Sequence, residues 1–591
     1  MEVWFNYLAQ ILVFGVLAVS LNLLLGYAGQ VSVAHAAFAA VGGYGMGYLV
    51  QERHWSYLPA VVIGVGLAFV VGMIVALPAL KLSVEYLILL TLAVSSVILG
   101  VFVAFKQLGG TYGLIKISHI DIFGFHLEHK RDWLAPTSVG LAAVSAICWR
   151  LGESPYGRVL KGIREDPMAT QALGKNVFAY KVSVFAITSA MAGLGGALFS
   201  GLLGLATPGV YGFNFSLTIF AIVIFGGMAN LPGSVFGAVI IVMLDPFLQR
   251  VLKLKADKAF VVQLIVYGIA LTALMRLRPQ GLFPEGLSLW RRLRYGKATS
   301  GRVEMNAETW MPAVETVVRT GDGQPTGIEQ GRREARWQSA PVVLSTAGVS
   351  KSFGGIIAAE NLDIELRKGT ITALVGPNGA GKTTVFNLLT GFIPPDVGSV
   401  VLNGSELVGR TPDAIARLGL VRSFQDVRLI QRVSCLQNVM LAVQRQPGEH
   451  LVPLFSRRAA VRRGEEATRD QAMRWLTFVG MGDFADVPAG ALSYGQSKLL
   501  SLARVLATEA EVLLLDEPAS GIDTRWVDTM LDLIEAVRDQ GRTVCIVEHN
   551  LHVVARLADH TYFMELGRIT AQGTIDELTG SERLAEAYFG T

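Results

Sequence analysis

Along its first half the chain runs in long apolar stretches; along its second half apolar runs are short and separated by polar residues. A bilayer crossing needs about 20 predominantly apolar residues. Segments at roughly 4–25, 29–50, 57–79, 82–105, 136–151, 182–205, 214–230, 233–252 and 259–277 meet or approach that length and predict about nine spans, with eight to ten compatible. Gly, Ala, Ser32 and His35 dilute the second. Segments rich in small residues point to close helix packing or to a broken, re-entrant piece lining a pathway. The first apolar stretch follows Met1-Glu2-Val3-Trp4, which has no basic n-region, so it reads as a first membrane helix rather than a cleaved signal.

Basic residues set the expected orientation. Arg158, Lys161, Arg164, Lys175 and Lys181 place 152–181 in the cytoplasm, and Arg276, Arg278, Arg291, Arg292 and Arg294 place the exit from the last span there too. Four crossings between those loops are consistent, and five before residue 152 put the N-terminus outside. Lys106, Lys116, Lys130 and Arg131 would then also face outside, which leaves room for a count different by one. The loop 152–181 is expected to hold a short amphipathic helix. Residues 291–341 show little apolar periodicity and read as a flexible cytoplasmic linker, its basic start at Arg291 to Lys297 lying against anionic lipid headgroups. The expected division is therefore 1–290, 291–341 and 342–591.

Composition agrees with that split. Apolar residues make up 52% and charged residues 17%, against roughly 45–50% and 25% in soluble proteins. A net charge of +4 over 591 residues gives no case for nucleic-acid binding. Cys148, Cys435 and Cys545 match no disulfide or zinc spacing, which suits a reducing cytoplasm.

The chemistry lies in the second half. Gly376-Pro377-Asn378-Gly379-Ala380-Gly381-Lys382-Thr383, followed by Thr384, fits the phosphate-binding P-loop. It follows the strand-like run Ile371-Thr372-Ala373-Leu374-Val375 and opens onto the helical pattern of Val385-Phe386-Asn387-Leu388-Leu389. The glycines let backbone N–H groups converge on phosphate oxygens at a helix N-terminus. Lys382 is expected on the β- and γ-phosphates of ATP, and the Thr383 hydroxyl on Mg²⁺. Far downstream Val512-Leu513-Leu514-Leu515 ends in Asp516-Glu517. Asp516 is expected to ligate Mg²⁺ through water, and Glu517 to polarise the attacking water.

Further motifs resemble the ABC ATPase family. Leu492-Ser493-Tyr494-Gly495-Gln496 is similar to its signature, with Tyr where Gly is commonest; Gln425 resembles its Q-loop glutamine, which touches Mg²⁺ and senses the permease. His549 resembles its switch histidine, Asp523 its D-loop aspartate in Ser520-Gly521-Ile522-Asp523, and Phe353 the aromatic that stacks on adenine. The resemblance implies that Ser493 and Gly495 act on ATP bound by an opposite subunit. One ATPase domain therefore implies a second.

The resemblance narrows to branched-chain amino acid ABC importers, with a permease and an ATP-binding subunit joined. It rests on Tyr494, on Val421-Arg422-Ser423-Phe424-Gln425 with Val427-Arg428-Leu429, and on the ending Glu586-Ala587-Tyr588-Phe589-Gly590. In the membrane half it rests on Gly26-Tyr27-Ala28-Gly29-Gln30-Val31-Ser32 with His35-Ala36-Ala37-Phe38, Gly109-Gly110-Thr111-Tyr112-Gly113-Leu114, Gly226-Gly227 and Arg278-Pro279-Gln280-Gly281-Leu282-Phe283. Glu165, Ala172 and Gly174 fall where that family has its coupling helix.

The fold this implies is an all-α polytopic membrane domain followed by an α/β P-loop ABC ATPase domain. Also implied are a bacterial inner-membrane location, a second permease subunit, a second ATPase subunit and an extracytoplasmic solute-binding protein. Ala34 and Leu82-Ser83-Val84-Glu85-Tyr86 depart from the family pattern, and related permeases also carry urea, short amides and aromatic acids. An exporter is disfavoured by short Gly-rich spans with one compact loop, and a non-transporting regulator by the intact Lys382, Glu517 and His549.

Overall fold

The computed structural model describes every residue except Met1, 80–83, 118–120, 123–124, 251–255, 279–280, 284, 286–326 and 580–591. Leu82 and Ser83, Pro279 and Gln280, the basic run Arg291 to Lys297, most of the expected linker and the terminal Glu586 to Gly590 lie outside the described residues. The chain forms two compact units, Met1–Arg164 with Val177–Glu304, and Glu165–Asn176 with Met305–Thr591.

In the first unit each of the nine apolar segments carries a helix: α1 Glu2–Asn22, α2 His35–Arg53, α3 Tyr57–Ala79, α4 Val84–Ala104, α5 Leu134–Gly152, α8 Val177–Leu203, α9 Phe213–Gly226, α10 Leu231–Arg250 and α11 Ala256–Leu277. The loop between α5 and α8 adds α6 Pro155–Glu165 and α7 Pro167–Ala172. Among the described residues, six helices are long and apolar enough to cross a membrane by length and composition. Nine is therefore an approximate span count: α9 has 14 residues, and α2 is diluted by Gly and Ala.

Small residues let these helices touch. A Cβ on Gly196 of α8 would stand 1.8 Å from the Ala39 carbonyl of α2, and one on Gly42 would stand 2.1 Å from the Gly193 carbonyl. Glycine is required at both contacts, the expected device where apolar burial cannot draw helices together in lipid.

The second apolar segment starts at His35 rather than near 29. A π-helical turn, Leu23–Tyr27, ends α1, and residues 28–34 are not helical. Side chains satisfy the freed backbone there. Val33 N–H donates to Thr91 Oγ1 (3.2 Å), the Ser216 hydroxyl donates to Val33 O (2.8 Å), and Ser20 Oγ lies 2.7 Å from His35 Nε2. A second break separates α9 from α10, where Gly227 and Ala229 take positive φ. Asn22 closes it: Nδ2 donates to Gly227 O (3.0 Å) and Asn230 O (3.1 Å), and Oδ1 accepts from Ala229 N (2.8 Å). Non-helical backbone at membrane depth persists only where such partners exist.

The second unit is built on six strands: β1 Ile371–Val375, β2 Leu420–Arg422, β3 Val512–Asp516, β4 Thr543–Val547, β5 His560–Glu565 and β6 Arg568–Gly573. Their order is β2-β3-β4-β1-β5-β6, parallel until the antiparallel β5–β6 pair. The strands β1, β3 and β4 are buried at every position, as a doubly covered parallel sheet requires. An antiparallel sheet containing Val342–Phe353 packs beside it around Leu344, Leu366, Phe386, Leu402, Leu514 and Met564.

The end of the expected flexible linker is ordered. Residues Gly327–Ser339 form a helix, α12. The Trp337 ring stacks on His560 at 3.8 Å with the Arg367 guanidinium 4.2 Å from its centroid, and Arg333 donates to Ala555 O at 3.0 Å. The composition is polar because the helix packs through one stacked aromatic and charged contacts rather than through an apolar stripe.

Candidate functional site

The P-loop follows β1 in the middle of the sheet. Gly376, Gly379 and Gly381 have φ of 152°, 83° and 105°. A Cβ on Gly376 would meet Met564 O at 2.0 Å and one on Gly381 would meet Ala358 O at 2.2 Å, so no side chain fits. Asn378, Gly379 and Thr383 are exposed, Pro377, Gly381 and Thr384 half-buried, and Ala380 buried. Lys382 opens the helix Lys382–Leu389 and donates to the carbonyls of Gly376 (2.6 Å) and Pro377 (2.8 Å). Burial lowers its pKa, against the pull of Glu517 and Asp516. A lysine amine, a glycine-rich turn and a helix N-terminus thus converge, the makings of an anion cradle.

Two carboxylates close the site from β3. Asp516 is 2% exposed and pairs with Arg422 at 3.0 Å, while its N–H donates to Ser423 Oγ at 3.0 Å. Arg422 also donates to Asn387 Oδ1 at 2.5 Å. Burial raises the Asp516 pKa and the Arg422 guanidinium opposes it. Glu517 sits at φ 46°, a left-handed strain worth about 1–3 kcal/mol that clusters at functional sites. Its N–H donates to Val547 O at 2.9 Å, which anchors that geometry on β4. Gln425 Nε2 donates to Glu517 Oε2 at 3.0 Å, and His549 Nδ1 lies 3.8 Å from Oε1. The structure therefore brings Lys382, Asp516, Glu517, Gln425 and His549 together at the C-terminal ends of parallel strands, where ligands of open α/β sheets bind.

The remaining candidates lie on other elements. Ser493 is the N-cap of helix Tyr494–Ala507 and forms a capping box with Gln496. Gly495 faces Trp526, whose ring a Cβ would meet at 3.3 Å, and the Tyr494 ring covers Gly521. Asp523 is exposed. Phe353 ends the strand Val342–Phe353, 45% exposed, with the Lys351 ammonium 5.6 Å from its ring.

Residues Glu165–Asn176 belong to this unit and bear on the segment after Gln425. The Asp166 carboxylate caps α7 and pairs with Arg428 at 3.2 Å, and Gln431 N–H donates to Glu165 Oε2 at 2.6 Å. Lys175, 2% exposed, donates to Val443 O at 2.8 Å and pairs with Glu449 at 2.6 Å. The Arg428 and Arg422 guanidiniums lie 4.8 and 4.6 Å from the Phe424 ring. Packed charged and aromatic groups thus run from Asp166 to Asp516. Sequence reasoning assigned no role to Arg422, Asn387 or Lys498; their polarity beside apolar neighbours was the signal.

Comparison with known proteins agrees with both units. Residues 3–274 match the family described as "Branched-chain amino acid transport system / permease component", and residues 359–520 match "ABC transporter". The high-affinity branched-chain amino acid transport ATP-binding protein BraF of Pseudomonas aeruginosa is 35% identical over 249 residues, 42% of this chain and 98% of BraF. LivG of Escherichia coli, with the same description, is also 35% identical over 249 residues, covering 42% and 98%. A solved nucleotide-free ATP-binding cassette from an ABC transporter is 29% identical, covers 42% of this chain and 100% of its own, with a TM-score of 0.38. A membrane permease and a cytoplasmic ATP hydrolase that drives transport lie on one polypeptide, and this architecture calls for a partner permease and a partner ATPase subunit. The chain belongs to the branched-chain amino acid ABC transporter family, as a fusion of its permease and ATP-binding components.

Proposed function

We propose that this chain is the fused permease and ATP-binding subunit of an importer that carries branched-chain amino acids across a bacterial inner membrane, fed by an extracytoplasmic solute-binding protein. The observation that carries the reading is the seating of Glu165–Asn176, a permease-loop segment, against Arg428 and Gln431, a few residues from the Gln425–Glu517 bond. Movement of that segment and the state of the hydrolytic carboxylate are thereby linked through one loop.

In this reading Lys382 and the P-loop N–H groups hold the β- and γ-phosphates of ATP, and Phe353 stacks on adenine. The donors present fit Mg²⁺: the exposed Thr383 hydroxyl beside Lys382 would ligate it and the buried Asp516 carboxylate would hold it through water, with Gln425 beside them, the remaining ligands being phosphate and water oxygens. When bound, Mg²⁺ would neutralise charge on the β- and γ-oxygens; the Asp516 carboxylate that would face it is paired with Arg422. Glu517 orients and polarises water, and His549, 3.8 Å from its carboxylate, contacts the γ-phosphate. Ser493, Gly495, Gln496 and Asp523 act on ATP held by the partner ATPase.

Reconstitution of the chain with its partner subunits in proteoliposomes tests the reading. ATP-dependent leucine uptake that requires an added binding protein is the expected result. Uptake of urea or an aromatic acid, with none of leucine, would replace the solute; ATP-driven efflux would sink the direction.

A further inference from the structure

Three functional segments that are far apart in sequence meet at one buried ammonium. Lys498, in the second turn of Tyr494–Ala507, is 5% exposed. Its Nζ donates to the main-chain oxygen of Gln425 at 2.9 Å and to that of Glu517 at 3.1 Å. Burial disfavours its charge, and Glu548, Glu517, Asp516 and Asp426 restore it, in that order. The Tyr494 ring lies 5.6 Å away.

Both hydrogen bonds go to backbone carbonyls rather than to a carboxylate. A lysine present only to balance charge needs no such aim. These carbonyls belong to the two residues whose side chains are bonded to each other, Gln425 and Glu517. One of them, Glu517, holds a left-handed conformation that its surroundings must maintain. The same ammonium is fixed to the first turns of the signature helix, whose N-cap is Ser493.

We propose that Lys498 is a positioning residue for hydrolysis, clamping the Gln425 and Glu517 backbones to the start of the signature helix. Displacement of the glutamine loop then moves the water-polarising carboxylate and the signature together. The inference rests on Glu517 being the group that acts on water, and the test separates the two.

The full chain, purified with its partner subunits in nanodiscs, is compared with its K498M, K498R and E517Q variants. Misplacing a reacting group by about 1 Å costs on the order of a hundredfold, so K498M is expected to lower kcat roughly tenfold to a hundredfold. KM for ATP should stay within about twofold, because ground-state binding at the P-loop is untouched. K498R, which can span both carbonyls, should recover kcat to within about threefold of wild type. Wild-type turnover by K498M beside an inactive E517Q would overturn the clamp alone, whereas turnover by E517Q would overturn the site reading beneath it. A parallel rise in KM, or K498R no better than K498M, would reduce Lys498 to a packing residue and overturn the clamp. If K498M does not fold, K498Q is judged by the same split between kcat and KM.

Discussion

In the permease unit the buried Asn22 directs its amide entirely to partners around one chain break, reaching Gly227 O, Asn230 O, Ser234 Oγ and Ala229 N. In the ATPase unit the equally buried Asp516 and Arg422 face each other as charges, joined to Asn387 and Ser423. The first arrangement is what lipid demands: backbone freed from a helix must find a partner inside the protein, and a neutral amide serves at least cost. The second is costly, because two desolvated charges are worth little unless every remaining lone pair is met. Under the proposed function that charge acts on a ligand, so buried polarity serves architecture in one unit and chemistry in the other.

The largest effect that can break this contrast is at Glu517. Replacing it with Gln keeps size while removing the proposed base, and a positioned general base contributes about 10²–10⁴-fold. Turnover should fall at least a hundredfold with ATP still bound, read by single-turnover kinetics alongside nucleotide retention. Next comes Lys175→Met. Breaking a buried pair by removing one partner costs about 3–5 kcal/mol; here Glu449, 10% exposed at its side chain, loses its Lys175 ion pair, while Val443 O keeps the Gln446 amide at 2.8 Å. Uptake should be lost while basal ATPase activity stays within about twofold of wild type; preserved uptake would show that the segment Glu165–Asn176 is not a coupling element. Smaller again is Asn22→Ala. Each backbone group left unpaired costs about 1–3 kcal/mol, softened because Ser234 Oγ still reaches Asn230 O at 3.4 Å. A lower melting temperature for the permease unit with unchanged ATPase melting is expected in a two-transition thermal scan.

The same contrast explains what the sequence made legible. Phosphate chemistry fixes residue types in the P-loop and at the end of a buried strand, so Lys382, Asp516 and Glu517 could be named from the residues themselves, and Gln425 and His549 from their resemblance to ABC ATPases; the structure brings all five together. Arg422 and Lys498 could not be given roles, because a cation in a mixed helical or strand pattern reads as a solvated face until its burial is known. Among the spans, length and apolarity located every helix, with the starts of α2 and α8 the furthest off, at His35 against about 29 and Val177 against about 182. The break after Tyr27 was half visible in Gly29, Ser32 and His35. The break at Gly227–Asn230 was hidden, because it depends on Asn22, more than 200 residues away in sequence.

The smallest effect concerns the junction between the units. A flexible linker chiefly sets effective concentration, about millimolar for a short chain, and contributes no contact of its own. Cutting the chain near residue 320 and coexpressing the halves should leave uptake within about twofold of the intact protein, since coupling by the Glu165–Asn176 segment does not need the covalent link. Moving the cut to residue 341 removes α12 as well. That exposes the His560 face that Trp337 covers and leaves Asp559 without Arg336, which it meets at 3.3 Å. Loss of one stacked aromatic contact is worth about 0.5–1.5 kcal/mol beyond its buried area, so the shorter fragment should melt several degrees lower as an isolated ATPase unit. Equal melting for the two fragments would make α12 a passive part of the linker after all. Loss of uptake on cutting near 320 would show that the linker transmits force, and the two units would then have to be treated as one device.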